Sequence, residues 1–445
     1  MPPLIISISG IRGIVGEGLG PEEARRFALA FGTYLGGRGR VVLARDSRPS
    51  GPALAEAVRD GLLATGCSVA DAGILSTPGA AVLVGHLGAA GGAVITASHN
   101  PLPWNGIKLL SARGHGLTAA EGERVLDIYR RADFLAARRP GAAETVKGAA
   151  EIHVERVLAT VDAARIRGLR PAVVVDPVNG AGGAEMGLLL ERLGCRVTMI
   201  HAAPDGRFAR PPEPVPENLG ALGRAVREAG AGVGLALDPD ADRLGLVDET
   251  GRAIGEEYTL ALAARHRLTQ GRGPVAANLS TSRLMDFVAR EAGVRLVRTP
   301  VGEVNVAEAM ARQGCLIGGE GNGGVMDPRV ALVRNSLSGA ALVLEMMAAR
   351  RRKLSELAAE LPVYWMVKDK VPLGGAATAA VLAAARERFA DARIDDRDGL
   401  HFSWDSGWLH VRPSNTEPIL RVLAEAEDGE RARQWVAEVK SLARG

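Results

Sequence analysis

Residues 40–48 read RVVLARDSR, an apolar strand-like run that ends in a polar turn, and this stretch sets the pattern of the chain. A helical stretch from Pro52 to Ala64, a glycine and a second apolar run follow it. The same order recurs after AVVVDPVNG at 172–180 and after PVAANLSTS at 274–282. The glycines stand where helices commonly end. Three copies in order predict three similar α/β units with mostly parallel sheets.

The length of the chain indicates several domains. At 445 residues the chain is too long for a single hydrophobic core. A region of different pattern begins near Val367, with two strand-like runs around a polar turn and a closing helix from Gly429 to Arg444. We therefore predict three similar stacked α/β domains and a smaller C-terminal α+β domain around a central cleft. The predicted bounds are 1–150, 151–255, 256–365 and 366–445.

Composition argues against several classes of protein. The formal net charge is only +3, and the arginines are scattered along the sequence. Both observations argue against a nucleic-acid partner. No apolar run approaches the ~18 residues that a membrane span needs. The N-terminus has no basic leader, and the three cysteines are expected to be free buried thiols of a reducing compartment. We expect a soluble, cytoplasmic protein.

In each copy of the repeat a further strand ends in an unusual loop. The first loop spans Ala97–Pro101, the second is DPDADR at 238–243, and the third is GEGNGG at 319–324. Ligands of open α/β sheets bind beyond the carboxyl ends of the strands. We therefore expect the three loops to face one cleft. The alternative, a purely structural repeat whose loops point apart, stays open.

The loop DPDADR places Asp238, Asp240 and Asp242 at alternate positions. Three carboxylates so close repel one another unless a cation neutralises them. Oxygen ligands at this spacing suit Mg²⁺. An acidic turn between two strands is the alternative interpretation, but the apolar strand before the loop and Arg243 after it favour a metal site.

Two further motifs carry polar side chains in Pro-bounded loops. TASHNPLPWNGIK at 96–108 places Ser98 where a strand ends, a usual position for a reactive group, although a plain turn is also possible. A serine hydrolase is disfavoured because Ser98 and His99 are adjacent and G-x-S-x-G is missing. RPSNTEP at 412–418 offers a guanidinium fork and short donors that suit a dianionic phosphate, or forms a solvated turn.

Together these motifs resemble those of the α-D-phosphohexomutases, enzymes that move a phosphoryl group between the 1- and 6-positions of a hexose. The stretch at 96–108 is similar to their phosphoserine loop, and DPDADR is similar to their metal loop. GEGNGG resembles the sugar-recognition loop, and RPSNTEP resembles the loop that holds the phosphate that is not reacting. The motifs follow the family order and span most of the chain.

The resemblance implies a role for each motif residue. Ser98 would be the phosphoryl carrier and would share Mg²⁺ with Asp238, Asp240 and Asp242. Around Ser98, Lys108 would assist proton transfer and stabilise the transferring charge. The remaining implied residues are Arg12, His99 and Arg243 in catalysis, Glu320, Asn322 and Glu303 at the sugar, and Arg412, Ser414, Asn415, Thr416 and Arg421 at the phosphate.

The chain departs from the usual family pattern at several positions. Pro239 and Ala241 stand where glycines are usual, which puts the backbone geometry of the metal loop in question. Asn322 and Gly324 replace a frequent serine and histidine, and Asn335 follows Arg334 where a related branch often has aspartate.

Glu303 stands where many glucose and mannose mutases carry histidine, and in this it is similar to phosphoglucosamine mutases. A carboxylate there could pair with the 2-ammonium of glucosamine phosphate, a contact of about 1.5–3 kcal/mol.

The resemblance implies an isomerase, an intramolecular phosphotransferase that interconverts hexose 6-phosphate and hexose 1-phosphate through phospho-Ser98 and a 1,6-bisphosphate. Hexose 1,6-bisphosphate would be the activator. A phosphoglucosamine mutase is the main hypothesis, and a phosphoglucomutase/phosphomannomutase of broad specificity is the alternative. An aspartyl-phosphate-type sugar phosphatase with Asp238 as nucleophile leaves the Ser98 loop without a role, and a non-catalytic sensor would require a missing ligand. Either a monomer or a homodimer is expected.

Overall fold

Four β-sheets follow one another along the chain. The structure is a computed structural model that describes residues 4–8, 10–372, 375–414 and 419–443, with residues 375 and 376 described by their backbone alone. We call the segments around the four sheets the first, second, third and C-terminal units. The domain boundaries at 150, 255 and 365 stay predictions.

The first unit holds a seven-stranded sheet. Its elements are β1 (Ile5–Ser7), β2 (Gly10–Ile14), α1 (Pro21–Tyr34), β3 (Arg40–Arg45), α2 (Gly51–Thr65), β4 (Ser68–Ile74), α3 (Thr77–His86), β5 (Gly91–Ile95), β6 (Trp104–Ser111), α4 (Ala119–Arg131) and β7 (Ala143–Thr145). The strands lie in the order β1-β2-β6-β5-β3-β4-β7. Strands β3, β4, β5 and β7 are mutually parallel, and the pairings of β1, β2 and β6 are antiparallel.

The second unit begins with two helices and holds a four-stranded sheet. Its elements are α5 (Ala149–Leu158), α6 (Ala163–Leu169), β8 (Ala172–Asp176), α7 (Gly183–Arg192), β9 (Arg196–Met199), a short 3₁₀ turn (Pro216–Asn218), α8 (Gly220–Glu228), β10 (Val233–Leu237) and β11 (Leu244–Asp248).

The third unit holds another four-stranded sheet. Its elements are α9 (Glu256–Arg267), β12 (Val275–Asn278), α10 (Leu284–Glu291), β13 (Leu296–Thr299), α11 (Glu303–Gln313), β14 (Ile317–Glu320), β15 (Gly324–Met326), α12 (Ser336–Arg350) and α13 (Leu354–Ala359).

The three sheets share one strand order. The second sheet runs β11-β10-β8-β9 and the third runs β15-β14-β12-β13, and both match β6-β5-β3-β4 of the first. In each case three strands are parallel and the last pairing, to β6, β11 or β15, is antiparallel. The predicted α/β repeat is therefore confirmed, and the first two candidate loops follow the equivalent strands β5 and β10. The third, GEGNGG at 319–324, is shorter than predicted, because β14 runs on to Glu320 and β15 begins at Gly324.

The C-terminal unit is an α+β unit, as predicted, with a five-stranded antiparallel sheet. Its elements are β16 (Trp365–Pro372), α14 (Gly375–Arg388), β17 (Arg393–Asp395), β18 (Leu400–Trp404), β19 (Gly407–Pro413), β20 (Ile419–Ala426) and α15 (Gly429–Leu442). The sequence predicted two of these strands and α15. It missed α14, because an alanine-rich stretch carries little amphipathic pattern.

Helix α12 is the central support of the fold. Thirteen consecutive residues, Ser336–Ala348, are buried. A helix that is apolar all round belongs in the interior of a protein. It packs against α9 of its own unit and against α5 and α6 of the second unit, so that the second and third units share one hydrophobic core.

A buried polar cluster joins the first three units. Glu185 accepts hydrogen bonds from Ser76 Oγ at 2.9 Å and faces His153 Nδ1 at 2.6 Å. The other ring nitrogen of His153 lies 2.9 Å from the amide nitrogen of Asn335. The Asn335 oxygen caps α12 by accepting from Leu337 N and Ser338 N. Asn335 therefore both donates and accepts, which an ionised aspartate at this position could not do.

No helix within the described ranges is long and apolar enough to cross a bilayer.

Candidate active site

The first and second loops meet at Ser98. Ser98 follows β5, is almost fully buried and has a left-handed backbone with φ of 49°. Its Oγ donates to Asp238 Oδ2 at 3.0 Å, just beyond the end of β10. The loops of two units thus share one hydrogen bond, as expected for loops at equivalent strand ends.

A completely buried arginine holds the Ser98 loop in place. Arg48, in the turn after β3, pairs with Asp46 at 3.1 Å. Its terminal nitrogens donate to four backbone carbonyls of the loop, those of Ser98, Asn100, Pro101 and Trp104, at 2.7–2.9 Å. A left-handed non-glycine residue costs about 1–3 kcal/mol and persists only where its surroundings enforce it. Our sequence analysis missed Arg48, although its place in RDSR after an apolar strand was a usable signal.

The carboxylates of Asp238, Asp240 and Asp242 form a completely buried triad, in which one oxygen of each carboxylate lies within 4.8 Å of the others. Lys108 Nζ, from β6, donates to Asp240 Oδ2 at 2.6 Å and to Asp242 Oδ2 at 3.1 Å. Within the described ranges no group donates a hydrogen bond to Asp240 Oδ1 or Asp242 Oδ1. Two orphaned buried oxygens beside Ser98 Oγ are the donor set that a hard cation prefers, so the triad could hold a metal ion.

The electrostatics of the triad are uneven. Burial, together with the neighbouring carboxylates, raises the pKa of Asp238. Burial also disfavours ionisation of Asp242, but Arg334, Lys108 and Arg243 outweigh it and lower the pKa of Asp242. Burial would lower the pKa of Lys108, whereas the carboxylates that it contacts outweigh burial and raise it. Cations from the first and third units, Lys108 and Arg334, therefore stabilise the ionised form of Asp242.

Glycines in the segment after β8 accommodate the unusual metal-loop residues. Ala241 has a φ of 53°, and a Cβ on Gly182 would lie 2.4 Å from the Ala241 Cβ. A Cβ on Gly180 would lie 2.7 Å from the Pro239 carbonyl oxygen. Ser336 Oγ, at the start of α12, donates to the Ala241 carbonyl at 2.7 Å. The metal loop is therefore held in place by its neighbours although Pro239 and Ala241 replace the usual glycines.

His99 and Arg12 lie beside the Ser98 loop. Arg12 Nη1 donates to Asn100 Oδ1 at 2.6 Å. His99 Nδ1 is 3.5 Å from Ser98 Oγ. The guanidinium of Arg243 and burial lower the pKa of His99 to about 2, so its imidazole is neutral. The structure therefore brings both predicted residues to Ser98.

A cavity of about 220 Å³ lies where the second, third and C-terminal units meet, and its lining includes Asn322, Glu213, Glu256 and Lys368. Arg243 Nη1 donates to Glu213 at 2.8 Å, on the rim of this cavity. The structure therefore places the predicted Asn322 at an open part of the cleft.

Arg334 connects the sugar-loop residues to the triad. Its Nε donates to Glu303 at 2.7 Å, its Nη1 to Glu320 at 2.9 Å and its Nη2 to Asp242 at 2.6 Å. Glu320 also accepts from Asn278 Nδ2 at 2.7 Å. The predicted residues Glu303 and Glu320 therefore lie together, and the sequence analysis did not predict a role for Arg334 in the site.

Glu257 supports the loop GEGNGG from α9. Its carboxylate accepts from Ser282 N at 3.0 Å and lies 3.9 Å from Lys368 Nζ. A Cβ on Gly321 would lie 2.0 Å from Glu257 Oε2, so only glycine lets the loop approach this closely. Burial raises the pKa of Glu257 to about 8.

The C-terminal unit brings Arg412 toward the third unit. Arg412 Nε donates to both carboxylate oxygens of Asp398 at 3.1 Å, and Asp398 Oδ2 accepts from Val301 N at 2.9 Å. Arg421 stands directly opposite Arg412 in the β19–β20 pairing, and Ser414 directly follows β19. The predicted residues Asn415 and Thr416 lie outside the described residues.

The chain matches all four parts of one family description. The matches are phosphoglucomutase/phosphomannomutase alpha/beta/alpha domain I at 5–136, domain II at 151–251, domain III at 255–364 and the C-terminal domain at 366–442. The chain belongs to the phosphoglucomutase/phosphomannomutase family. The predicted fold class and the predicted phosphohexomutase class are confirmed.

Individual relatives match along nearly the full length of the chain. It is 41% identical to a phosphoglucomutase/phosphomannomutase of Thermococcus kodakarensis, over 96% of this chain and 95% of that protein. It is 40% identical to a Methanopyrus kandleri protein named probable phosphoglucosamine mutase, over 98% of this chain and 97% of that protein. The crystal structure of a phosphoglucomutase/phosphomannomutase family protein from Burkholderia thailandensis is similar with a TM-score of 0.86, at 28% identity over 98% and 97% of the two chains.

The contact between Gly182 and Ala241 predicts a paired substitution effect. Gly182→Ala should weaken Mn²⁺ binding about tenfold, because its Cβ would push the triad loop out of place. Adding Ala241→Gly should restore the affinity, because the opposing Cβ is gone. Isothermal titration of the two variants measures this, and wild-type affinity in Gly182→Ala alone would contradict the proposed support.

The pKa of Glu257 predicts how stability depends on pH. Because the pKa is about 8 in the folded chain against 4.5 in an unfolded one, the folded chain binds the extra proton and its stability falls as pH rises from 4.5 through 8. The loss should be on the order of 5 kcal/mol. Glu257→Gln should remove most of this dependence. Urea unfolding at pH 5, 7 and 9 tests it, and parallel curves for both proteins would show the expectation to be wrong.

Proposed function

We propose that the chain interconverts hexose 6-phosphate and hexose 1-phosphate through a phosphoryl group carried on Ser98. The observation that carries the proposal is the 3.0 Å hydrogen bond from Ser98 Oγ to Asp238, beside the orphaned oxygens of the triad. In a chain of this family, a buried serine hydroxyl that is hydrogen-bonded to carboxylates able to hold a metal ion is suited to carry a phosphoryl group.

We assign Mg²⁺ to Asp238, Asp240, Asp242 and the Ser98 oxygen. The donor set is all oxygen, which suits this ion. When bound, Mg²⁺ would neutralise charge on the phosphoryl oxygens. The chain's own cations complete the charge balance, since Lys108 contacts two of the three aspartates. The phosphoryl group on Ser98 would be oriented by three neighbouring side chains, those of Arg12, His99 and Arg243.

The transfer exchanges one P–O bond for another. The free hydroxyl oxygen of the bound sugar phosphate forms a bond to phosphorus and loses its proton, while the bond from phosphorus to Ser98 Oγ breaks and the serine oxygen regains a proton. The 1,6-bisphosphate then turns end for end, and Ser98 takes the other phosphoryl group by the reverse exchange. We assign charge stabilisation and help with proton transfer to Lys108. Added hexose 1,6-bisphosphate would restore lost phosphate to Ser98, which makes it the activator.

The C-terminal unit is proposed to hold the phosphate that is not reacting. Arg412 would supply the fork, and we assign the other contacts to Ser414, Asn415, Thr416 and Arg421. Arg412 is paired with Asp398, which also accepts from Val301 N of the third unit. A bound phosphate would take over part of this guanidinium, so its arrival and the position of the C-terminal unit are linked. A closed cleft would keep water away from phospho-Ser98.

We propose that Glu320, Asn322 and Glu303 contact the sugar, with glucosamine phosphate as the main candidate. An additional ammonium at C2 suits the carboxylate of Glu303, which is half-buried and lies beside Arg334. Broad specificity is the second candidate, because Glu303 already accepts from Arg334 and so presents a paired carboxylate that also tolerates a hydroxyl. Relatives with either name support both candidates.

The phosphatase alternative is less well supported by the geometry. Both carboxylate oxygens of Asp238 accept hydrogen bonds, one from Ser98 Oγ and one from Arg243 N at 3.1 Å. A nucleophilic aspartate needs one oxygen directed at the phosphorus, and here Ser98 stands in front of it.

The cytoplasmic location and the monomeric or homodimeric state stay proposals from the sequence.

Replacing Ser98 tests the carrier. Ser98→Ala should reduce conversion of 1-phosphate to 6-phosphate by at least about 10³-fold, because no group remains to carry the phosphoryl. The assay uses Mg²⁺, glucosamine or glucose 1-phosphate and a trace of the bisphosphate, and Ser111→Ala at the end of β6 is the control. Wild-type turnover in Ser98→Ala, or release of inorganic phosphate at the same rate by both proteins, would refute the proposal.

Replacing Glu303 tests the sugar preference. Glu303→Gln should lower the ratio of kcat/KM for glucosamine phosphate to that for glucose phosphate about tenfold, since one charge-assisted contact is lost. Glu308→Gln, also on α11 but exposed at the surface, is the matched control. An unchanged ratio in Glu303→Gln would leave the amino-sugar preference without support.

A further inference from the structure

Arg334 is the one described residue that contacts the triad and both predicted sugar carboxylates. Each of its three guanidinium nitrogens donates to a different acid: Nε to Glu303, Nη1 to Glu320 and Nη2 to Asp242. The group is buried, and the three distances lie between 2.6 and 2.9 Å. The three nitrogens of a guanidinium point in fixed directions toward three separate acceptors, whereas the donors of an ammonium share one nitrogen and are not fixed in direction.

The backbone around Arg334 is arranged to admit this side chain. A Cβ on Gly324 would lie 2.2 Å from Arg334 Cδ, so any larger residue at 324 would displace the arginine. The next residue, Asn335, donates its N–H to the Val325 carbonyl at 2.8 Å and caps α12 with its side chain. The side chain of Arg334 thus starts from a fixed position of the backbone and passes over Gly324 to reach the three acids.

The bond to Asp242 selects which oxygen is free. Arg334 and Lys108 both donate to Asp242 Oδ2, and Asp242 Oδ1 is left with no hydrogen-bond donor among the described residues. The guanidinium therefore holds the carboxylate with Oδ1 toward the place of a cation. Groups that orient a ligand from behind commonly change metal affinity 10- to 100-fold when they are lost.

The bonds to Glu303 and Glu320 fix the sugar side in the same way. Each acid gives one carboxylate oxygen to Arg334, which sets the direction of the other. Glu320 Oε1 is held in addition by Asn278. A rotation of the guanidinium would therefore move Asp242 of the triad and the two sugar-side acids together.

Building on the proposed function, we propose that Arg334 is a positioning residue that sets metal affinity and sugar affinity at once. It touches neither the phosphoryl group nor the reacting hydroxyl in this assignment. It acts by orienting Asp242 toward the cation and Glu303 and Glu320 toward the sugar hydroxyls.

An effect of the charge of Arg334 and an effect of its positioning of the acids predict different metal affinities in the variants, so the two can be told apart. Arg334→Lys keeps the charge and loses the fork, so positioning predicts weaker metal binding, about tenfold. A purely electrostatic role predicts unchanged Mn²⁺ affinity in Arg334→Lys and tighter binding in Arg334→Met, because a cation near the metal has been removed. The Kd for Mn²⁺ is measured by electron paramagnetic resonance without sugar phosphate. The Kd for glucose 1-phosphate and for glucosamine 1-phosphate is measured by calorimetry in EDTA, where no metal-dependent turnover occurs.

Two further variants complete the design. Gly324→Ala leaves the charge of Arg334 intact and displaces its side chain, so it should weaken both Mn²⁺ and sugar phosphate binding as Arg334→Lys does. Arg329→Lys is the matched control, since Arg329 lies in the same loop and pairs with Asp327 away from the triad. It should bind both as the wild type does. Circular dichroism establishes that each variant is folded, and if Arg334→Lys is not, Gly324→Ala carries the test.

Joint loss of metal and sugar affinity in Arg334→Lys and Gly324→Ala, with Arg329→Lys unchanged, supports the proposal. Loss of sugar affinity alone overturns it, because Arg334 would then belong to the sugar site only. Unchanged affinities in the folded variants overturn it as well. If the wild type binds Mn²⁺ but shows no mutase turnover, the proposed function fails, while the metal measurements still decide whether Arg334 orients Asp242.

Discussion

The burial of three carboxylates on one short loop is the constraint on which the rest of this structure depends. Asp238, Asp240 and Asp242 are completely enclosed, and like charges at this spacing are costly without cations nearby. The first unit supplies Lys108, and the third supplies Arg334. Charge balance at the triad therefore depends on side chains of three units that meet at one point.

The scaffold behind the site is rigid for reasons that can be named. Arg48 fixes the Ser98 loop through four carbonyls, and Ser336 at the start of the buried helix α12 holds the carbonyl of Ala241. Both supports come from buried groups with fixed partners. By contrast, the C-terminal unit meets the third through polar contacts such as that between Asp398 and Val301, so phosphate binding could shift it at modest cost.

The sequence predicted much of the fold and the three aspartates that cluster in the second loop, because both follow from local patterns. The repeat appears in the order of apolar runs and glycines, and the loops that hold Ser98 and the triad follow strands in that repeat. Arg334 could not be recognised in the same way, since nothing local distinguishes it among 48 arginines and its partners lie on distant segments. Arg48 follows an apolar strand, which was a usable signal, but its partners in the Ser98 loop also lie far along the chain. Pro239 and Ala241 raised a doubt that only the packing of Gly180 and Gly182 resolves.

The most direct test of the central claim is to locate the phosphoryl group on the protein during turnover. The chain would be incubated with Mg²⁺ and radiolabelled glucose 1,6-bisphosphate, separated from the sugar and mapped by peptide mass spectrometry. We predict one phosphoryl group on Ser98, which then passes to unlabelled glucose 1-phosphate and regenerates the bisphosphate. A phosphoryl group on Asp238, or a label on Ser98 that cannot be transferred to a hexose phosphate, would contradict the mechanism proposed for this chain.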